Sequence, residues 1–238
     1  MNTVLTIIAW TLLAGIAMPI GAALAAVERI RPHWLEKEFR HFVTAIGGGA
    51  LLSAVGLVLV PEGTRHLSIL ATTGCFLLGG GVFLGIDVAL AAAKRPAAQA
   101  AAMLADFIPE ALALGAVAVS SPNLMPLLAT MICLQNLPEG FNAYRELAAT
   151  SSRRPLKIIL LFGVLALLGP VLGMAGYFWL ATHETLLAGI MVFSGGGILY
   201  LVFQDIAPQV KLARHWAPPL GAVLGFLLGV VAQMLTNA

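Results

Sequence analysis

Asp106-Phe-Ile-Pro-Glu110 and Gln135-Asn-Leu-Pro-Glu139 are two matching stretches, each set inside a long apolar run. Each stretch places a glutamate directly after a proline and a second polar side chain four residues before that glutamate. Four residues is about one helical turn, so the two polar side chains of each stretch share a helix face. Proline has no backbone N–H, and the carbonyl group four residues before it loses its helical partner. The pattern therefore predicts two kinked helices that each present oxygen atoms at a weakened turn.

The composition is that of a polytopic membrane protein. Of the 238 residues, 60% are hydrophobic and only 10% are charged, whereas soluble domains carry about a quarter charged residues. The mean hydropathy is +0.95. The two cysteines, Cys75 and Cys133, lie in apolar runs and do not indicate a disulfide framework. We expect residues 1–238 to form a single transmembrane domain.

Eight apolar runs are long enough to cross the membrane as helices, which takes about 20 residues each. The first run lacks a basic segment before it and is too long for a signal peptide, so we expect it to be retained. The predicted fold is an all-α membrane protein with eight transmembrane helices, at about 4–27, 42–60, 67–92, 98–119, 124–147, 156–181, 186–207 and 216–235.

The basic residues fall in alternate loops. Apart from Arg65, every Lys and Arg lies in one of the segments 28–41, 93–97, 145–157 and 208–215. Because cytoplasmic loops carry an excess of Lys and Arg, these segments are predicted to lie in the cytoplasm. Both termini are then outside.

A glycine-rich motif occurs twice. Gly47-Gly-Gly-Ala-Leu-Leu leads to Pro61-Glu62, and Gly195-Gly-Gly-Ile-Leu-Tyr leads to Pro208-Gln209. The two motifs lie in spans two and seven, which run in opposite directions. This favours inverted repeats made of spans one to three and six to eight, with spans four and five between them. The alternative is that small residues recur because they let any pair of helices approach closely.

Some acidic residues lie within the apolar runs. A charged side chain at mid-bilayer costs at least ~2.5–3.5 kcal/mol, so it normally faces the protein interior or water. No Lys, Arg or His accompanies these residues at depth, so protonation or a bound cation must compensate their charge. They are Asp87, Asp106, Glu110, Glu139 and Asp205.

Five side chains of the two Pro-Glu stretches are predicted to lie near the membrane midplane, on sequential antiparallel helices. Together with the freed backbone carbonyls, their oxygen atoms form a candidate site for a divalent metal ion. The alternative is that protonated carboxylates only hydrogen-bond between the two helices. The candidate ligands are Asp106, Glu110, Gln135, Asn136 and Glu139.

Three further polar residues are candidates for a gate or a path to the cytoplasm. Gln204 and Asp205 lie close to the cytoplasmic end of span seven, where an interfacial cap is the alternative. Asn142, one turn after Glu139, extends the polar face of span five in the same direction, and the alternative there is a hydrogen bond between helices.

The other polar residues indicate no enzyme. Asp87 lies two turns before Lys94 and is expected to pair with it at the interface. The histidines fall in loops or at span ends, where we expect them to be solvated. We find no nucleophile–base arrangement and no phosphate-binding glycine loop. An intramembrane hydrolase with paired carboxylates is therefore the least favoured function.

The eight predicted spans, the external termini and the Pro-Glu motif in each of spans four and five resemble the ZIP family of divalent-metal transporters. The resemblance covers nearly the whole chain, since the stretches 47–62 and 197–208 are similar to the family's second and seventh spans. It implies a midplane binuclear site that binds zinc, iron, manganese or cadmium, which move into the cytoplasm.

The motif residues differ from the family pattern at the histidines. The family reads His-Asn-x-Pro-Glu in span four and His-Asp/Glu-x-Pro-Glu in span five. The resemblance implies that Glu110 and Glu139 are the motif glutamates, while Asp106 and Gln135 take the places of the two histidines. The primary site thus has oxygen ligands only.

The second metal site of the family is less complete in this chain. Phe107 takes the place of the motif asparagine, and Asn136 that of the acidic neighbour in span five. In span six the family often has Glu-Pro, where this chain has Gly169-Pro170. The second site therefore keeps at most Asn136.

The resemblance implies a transporter whose substrate is a divalent ion of the manganese, iron and zinc class, moved into the cytoplasm by alternating access. Because imidazole suits zinc and carboxylate oxygens suit manganese or ferrous iron, the lost histidines shift the expected metal away from zinc. The alternative is a transport-inactive homologue with a structural or regulatory role. We expect a multi-pass protein of the bacterial inner (plasma) membrane, in contact with lipid and compatible with a homodimer, without organic cofactor or nucleic acid.

Overall fold

The computed structural model describes residues 3–27, 33–93, 98–150, 155–210 and 217–237. Within these ranges the chain is helical throughout, with short connections. We number eight helices in chain order. The first four are α1 (Thr3–Val27), α2 (His33–Ala54, a π-helical turn Val55–Leu59 and Val60–Thr64), α3 (Ile69–Ala93) and α4 (Ala98–Ser120). The last four are α5 (Met125–Thr150), α6 (Pro155–Ala166 and Leu168–Phe178), α7 (Glu184–Leu201, a π-helical turn Val202–Ile206 and Ala207–Val210) and α8 (Ala217–Asn237).

Six of the described helices are long and apolar enough to cross a membrane, namely α1, α2, α3, α6, α7 and α8. This agrees with the prediction of an all-α, multi-pass membrane protein. The remaining two, α4 and α5, hold the Pro-Glu stretches. They contain 23 and 26 residues, which at a rise of about 1.5 Å per residue matches the thickness of a bilayer.

The helices pack as two groups of four. In one group α1 packs along α5, α4 packs along α6, and α1 also contacts α6. In the other group α2 packs along α8 and α3 along α7. The groups meet where α2 contacts α5 and where α4 contacts α7. This set of packed pairs has an internal symmetry. It is unchanged when α1 is exchanged with α6, α2 with α7, α3 with α8, and α4 with α5.

The π-helical turns of α2 and α7 occupy matching positions, each ending two residues before a proline. Pro61 and Pro208 lack the N–H that an α-helix needs at that point, and a wider turn accommodates the change. In α2 the N–H of Val60 reaches back five residues to the Val55 carbonyl. In α7 the N–H of Ala207 reaches back five residues to the Val202 carbonyl.

Close helix pairs are built on glycines that face a backbone carbonyl of the partner helix. A methyl group at any of these glycines would overlap that carbonyl, so only glycine permits the spacing. The α3–α7 and α2–α8 pairs use the same reciprocal arrangement. The contacts are Gly79 to Phe193, Gly196 to Phe76, Gly49 to Ala222 and Gly225 to Ile46.

Helix α6 is interrupted at Leu167, although the sequence predicted one continuous span. Leu167 donates its N–H to the Val164 carbonyl at 3.1 Å, three residues back rather than four. Pro170 has no N–H to donate to the Ala166 carbonyl, which explains why the break occurs at this turn. The first part of α6 packs against α1, and the second part packs against both α4 and α1.

Candidate metal site

The predicted ligands are brought together between α4 and α5. Asp106 and Glu110 lie one turn apart on α4, Gln135 faces them from α5, and the adjacent Asn136 contacts α1. All four side chains are at most 1% exposed. The site thus lies inside one four-helix group, and its polar atoms depend on one another or on a ligand.

Gln135 connects the two acidic residues of α4. Its Nε2 donates to both carboxylate oxygens of Glu110, at 2.7 and 2.6 Å. The same nitrogen lies 3.3 Å from Oδ2 of Asp106. One carboxamide therefore bridges both carboxylates, and hydrogen bonds to charged acceptors are the stronger kind.

Four buried oxygen atoms in this region have no hydrogen-bond donor among the residues that the structure describes. Buried acceptors are normally paired, because leaving one unpaired costs about 1–3 kcal/mol. Their clustering at predicted ligand positions is therefore the most informative feature of the structure. The atoms are Oδ1 of Asp106, Oε1 of Gln135, Oδ1 of Asn136 and Oε2 of Glu139.

Asn136 is held by the backbone of a neighbouring helix. Its Nδ2 donates to the Ala14 carbonyl of α1 at 3.0 Å. Because this contact uses the nitrogen, it fixes the orientation of the amide and leaves Oδ1 as the free end. The oxygen of Asn136 is thus an acceptor whose direction is already fixed before any partner binds.

The oxygen set fits a hard divalent cation. Carboxylate and carboxamide oxygens suit manganese and related ions, and an ion would satisfy the unpaired acceptors. Among the described residues no group of three or more His, Cys, Asp and Glu side chains is arranged to hold a metal ion. A metal ion held here would therefore take ligands from the carboxamides as well. For Gln135 this requires the amide to turn over, so that Oε1 replaces Nε2 beside Asp106 and Glu110.

Phe107 occupies the space beside the candidate site. Its ring lies where a side chain on Gly15 of α1 or on Gly169 of α6 would point, since an added Cβ would come within 3.2 and 3.0 Å of Cζ, respectively. Phe107 is itself 1% exposed. The resemblance implied a second metal site at this position. In the structure, the Phe107 ring occupies the space that Gly15 and Gly169 leave open.

A cavity of about 50 Å³ adjoins the site between the two helix groups. Glu139, Asn142 and Asp205 line it together with Thr44 and Met103. This volume holds several water molecules, since one needs roughly 10–15 Å³. Asn142 donates from Nδ2 to Oγ1 of Thr44 at 3.1 Å, which links α5 to α2. We call this space the inner cavity.

Two other predictions have different outcomes. Gln204 is exposed and does not line the inner cavity, although its neighbour Asp205 does. Asp87 accepts a hydrogen bond from Oη of Tyr200 at 3.0 Å, whereas its predicted partner Lys94 lies outside the described residues. The Asp87–Tyr200 contact joins α3 to α7 at the same end of the protein as Asp205.

A second cavity, of about 170 Å³, lies at the opposite ends of α2 and α7. We call it the outer cavity. Its polar lining includes Glu62, Arg65, His66 and Glu184. Arg65 pairs with Glu62 at 2.7 Å, and Nδ1 of His66 lies 3.5 Å from Oε2 of Glu184. His66 was expected to be solvated, and its side chain is partly exposed.

No protein-family model matches this sequence, and no curated protein is significantly similar to it. The resemblance described above therefore rests on the quoted motifs, and the site rests on its own geometry.

Two contacting groups gave no signal in the sequence. Thr44 stands alone in an apolar stretch of α2, and Ala14 contributes only its backbone carbonyl to Asn136. Thr44 follows His41 at helical spacing and Ala14 follows Thr11, but neither spacing indicates a contact with α5. Only the packing of α1 and α2 against α5 identifies them.

Proposed function

We propose that the chain is a divalent-metal transporter of the ZIP type, which moves an ion of the manganese, iron and zinc class into the cytoplasm. The observation that supports this most strongly is the group of four buried oxygen atoms without donors on α4 and α5. A divalent ion is the partner that four such acceptors lack, and no cationic side chain was expected at this depth.

Each site residue has a role in this proposal. Asp106 and Glu139 contribute carboxylate oxygens, and Asn136 contributes the oxygen that its contact with Ala14 leaves free. Glu110 becomes available when the Gln135 amide turns over. Because all of these ligands are oxygen atoms, manganese or ferrous iron is the preferred substrate over zinc.

The proposal includes eight membrane spans, with α4 and α5 as the fourth and fifth, and both termini outside. The packed pairs that are preserved when α1–α3 exchange with α6–α8 support inverted repeats. The matched π-helical turns support the same relation. Alternating access then arises as the group α1, α4, α5 and α6 moves against the other four helices.

The inner cavity supports release toward the cytoplasm. Glu139 belongs both to the metal site and to the cavity lining, so an ion that leaves the site meets Asn142 and Asp205 next. Opening the path requires the Asn142–Thr44 hydrogen bond to break, because that bond joins the two groups.

Metal uptake into proteoliposomes tests the proposal. The parent protein should accumulate Mn²⁺, and the double substitution Glu110→Ala with Glu139→Ala should reduce accumulation to that of empty vesicles. Glu38→Ala, a glutamate on α2 away from the site, serves as the matched control and should retain uptake. Equal uptake by the parent and the double variant would show that this is not the transport site.

A second candidate function is a transport-inactive homologue with a structural or regulatory role. It is favoured by the Gln135 bridge, which already satisfies Glu110, and by the Phe107 ring beside the site. Titration calorimetry with manganese, iron, cobalt and zinc separates the candidates. The inactive homologue should bind none of these ions, whereas the transporter should bind at least one and lose binding on Glu110→Ala with Glu139→Ala.

A further inference from the structure

A carrier that works by alternating access must also return without its substrate. Asp106 and Glu110 are at most 1% exposed in this structure, and we expect both to stay buried during that return because the helices that hold them belong to one group. Carboxylates that lose a bound cation in a low-dielectric interior need another source of compensation. The charge of these two side chains must therefore be compensated in the unloaded return step as well as in the loaded step.

The Gln135 amide meets this need in the structure. Its Nε2 lies within 2.7 Å of both oxygens of Glu110 and within 3.3 Å of Asp106. The N–H groups carry partial positive charge and point at the two carboxylates. An ion that bridges these carboxylates would occupy the same position as this nitrogen.

The bridge lies wholly within one helix group. Gln135 is on α5, the two acidic residues are on α4, and both helices pack with α1 and α6. The contact is therefore preserved when this group moves against the other four helices. The Asn142–Thr44 bond differs in this respect, because it crosses between the groups and must break.

We propose that Gln135 is an internal substitute for the metal, whose amide N–H groups compensate Asp106 and Glu110 while the transporter returns unloaded. Turning the amide over exchanges the donor Nε2 for the acceptor Oε1, so the same side chain is a ligand in the loaded state. This inference rests on the proposed transport function and assigns Gln135 to one step of its cycle.

The assignment separates two modes of transport. Net uptake into metal-free vesicles requires the unloaded return in every cycle. Exchange of external radioactive Mn²⁺ against saturating internal Mn²⁺ does not, because the carrier returns loaded. Substitution of a residue that acts only as a ligand should lower the rates of net uptake and exchange alike. Substitution of a residue needed for the unloaded return should lower net uptake more than exchange.

The experiment compares both modes in proteoliposomes at saturating Mn²⁺. Gln135→Met keeps the length of the side chain but removes its N–H groups. Because Gln135→Met also removes the ligand Oε1, both modes should fall, and we expect net uptake to fall at least about tenfold further than exchange, since the variant loses the hydrogen bonds to two buried acidic side chains. Gln135→Asn keeps an amide that is too short to bridge both carboxylates, and it should lower the ratio of net uptake to exchange in the same way.

Gln233→Met is the matched control. Gln233 is also an intramembrane glutamine, but its Nε2 donates to the Leu57 carbonyl at 3.2 Å, away from the site. Its substitution should leave the ratio of net uptake to exchange unchanged. A proportional loss of both modes in Gln135→Met and Gln135→Asn, or no loss in either mode, overturns the inference. Absence of both modes in the parent protein overturns the proposed transport function, and this inference with it.

Discussion

The two consecutive carboxamides of α5 have different partners. Asn136 donates to a backbone carbonyl of α1, which cannot turn away, so its oxygen has a fixed direction. Gln135 donates to side chains of α4, which can change partners when a ligand binds. One amide is thus pre-oriented and the other adjustable. At the residue scale, the proposed site combines an amide of fixed orientation, Asn136, with an amide that can exchange its hydrogen-bonding nitrogen for its oxygen, Gln135.

The choice of metal can be tested at Asp106, whose Oδ1 has no donor. Asp106→His replaces a hard oxygen ligand by imidazole, which zinc prefers. We expect the Kd ratio between manganese and zinc to shift toward zinc by about tenfold, equivalent to ~1.4 kcal/mol. Competition calorimetry measures this ratio. Asp87→His, at a residue bonded to Tyr200 outside the site, is the control, and an equal shift in both variants contradicts the ligand assignment.

The spacing of the Pro-Glu stretches was sufficient to predict which side chains share a face. Asp106 and Glu110 do lie one turn apart and buried, as the four-residue interval required. Spacing says nothing about which atom donates to which, so the bridge through Gln135 could not be predicted. The partners on other helices, Thr44 and Ala14, also depend on packing that no local pattern records.

At the scale of the element, α3 offers glycines in two environments. A methyl group at Gly79 would overlap the Phe193 carbonyl of α7, whereas nothing lies within 4 Å of one at Gly81. The two residues are separated by a single position on one helix. They therefore provide a comparison in which helix propensity is the same and only packing differs.

Gly79→Ala should destabilise the protein, and Gly81→Ala should not. Separating α3 from α7 to make room for a methyl group costs about 1–3 kcal/mol, while an alanine in open space improves helix propensity. Thermal unfolding in detergent, followed by size-exclusion chromatography, should show a lower melting temperature for Gly79→Ala alone. Similar melting temperatures for the two variants would contradict the close α3–α7 contact.

The hydropathy of the sequence predicted the number of helices correctly within the described residues, but not where each helix begins and ends. Helix α2 begins at His33 rather than near residue 42, because the polar segment 33–41 extends the helix beyond its apolar part. The prolines indicated missing N–H groups, but not how the backbone would respond. The structure has π-helical turns before Pro61 and Pro208 and a break before Pro170.

At the scale of the whole molecule, two cavities lie at opposite ends of the contact between the helix groups. Glu139 lines the inner cavity. The lining of the outer cavity includes Val117 and Met191 but none of the predicted ligands. Under the proposed function, this arrangement corresponds to a metal site that is open toward one side of the membrane. It could not be predicted from sequence, because it depends on how two groups of distant helices meet.

Cysteine labelling tests this arrangement and the proposed orientation together. With Cys75 and Cys133 replaced by alanine, Leu201→Cys in the inner cavity should react with a membrane-impermeant thiol reagent in inside-out vesicles only. Leu187→Cys in the outer cavity should react in right-side-out vesicles only. The reverse pattern would show that the charged loops have been assigned to the wrong side.

The packing of Phe107 restricts how this protein can change over evolutionary time. The ring fits only because Gly15 and Gly169 carry no side chain, and a Cβ at Gly169 would also come within 2.6 Å of the Thr11 carbonyl oxygen. A side chain at position 169 would therefore meet both the Phe107 ring and the backbone of α1. A lineage that acquires a second acidic centre through position 169 must both reduce the ring and separate α1 from α6, so a single substitution at that position does not suffice.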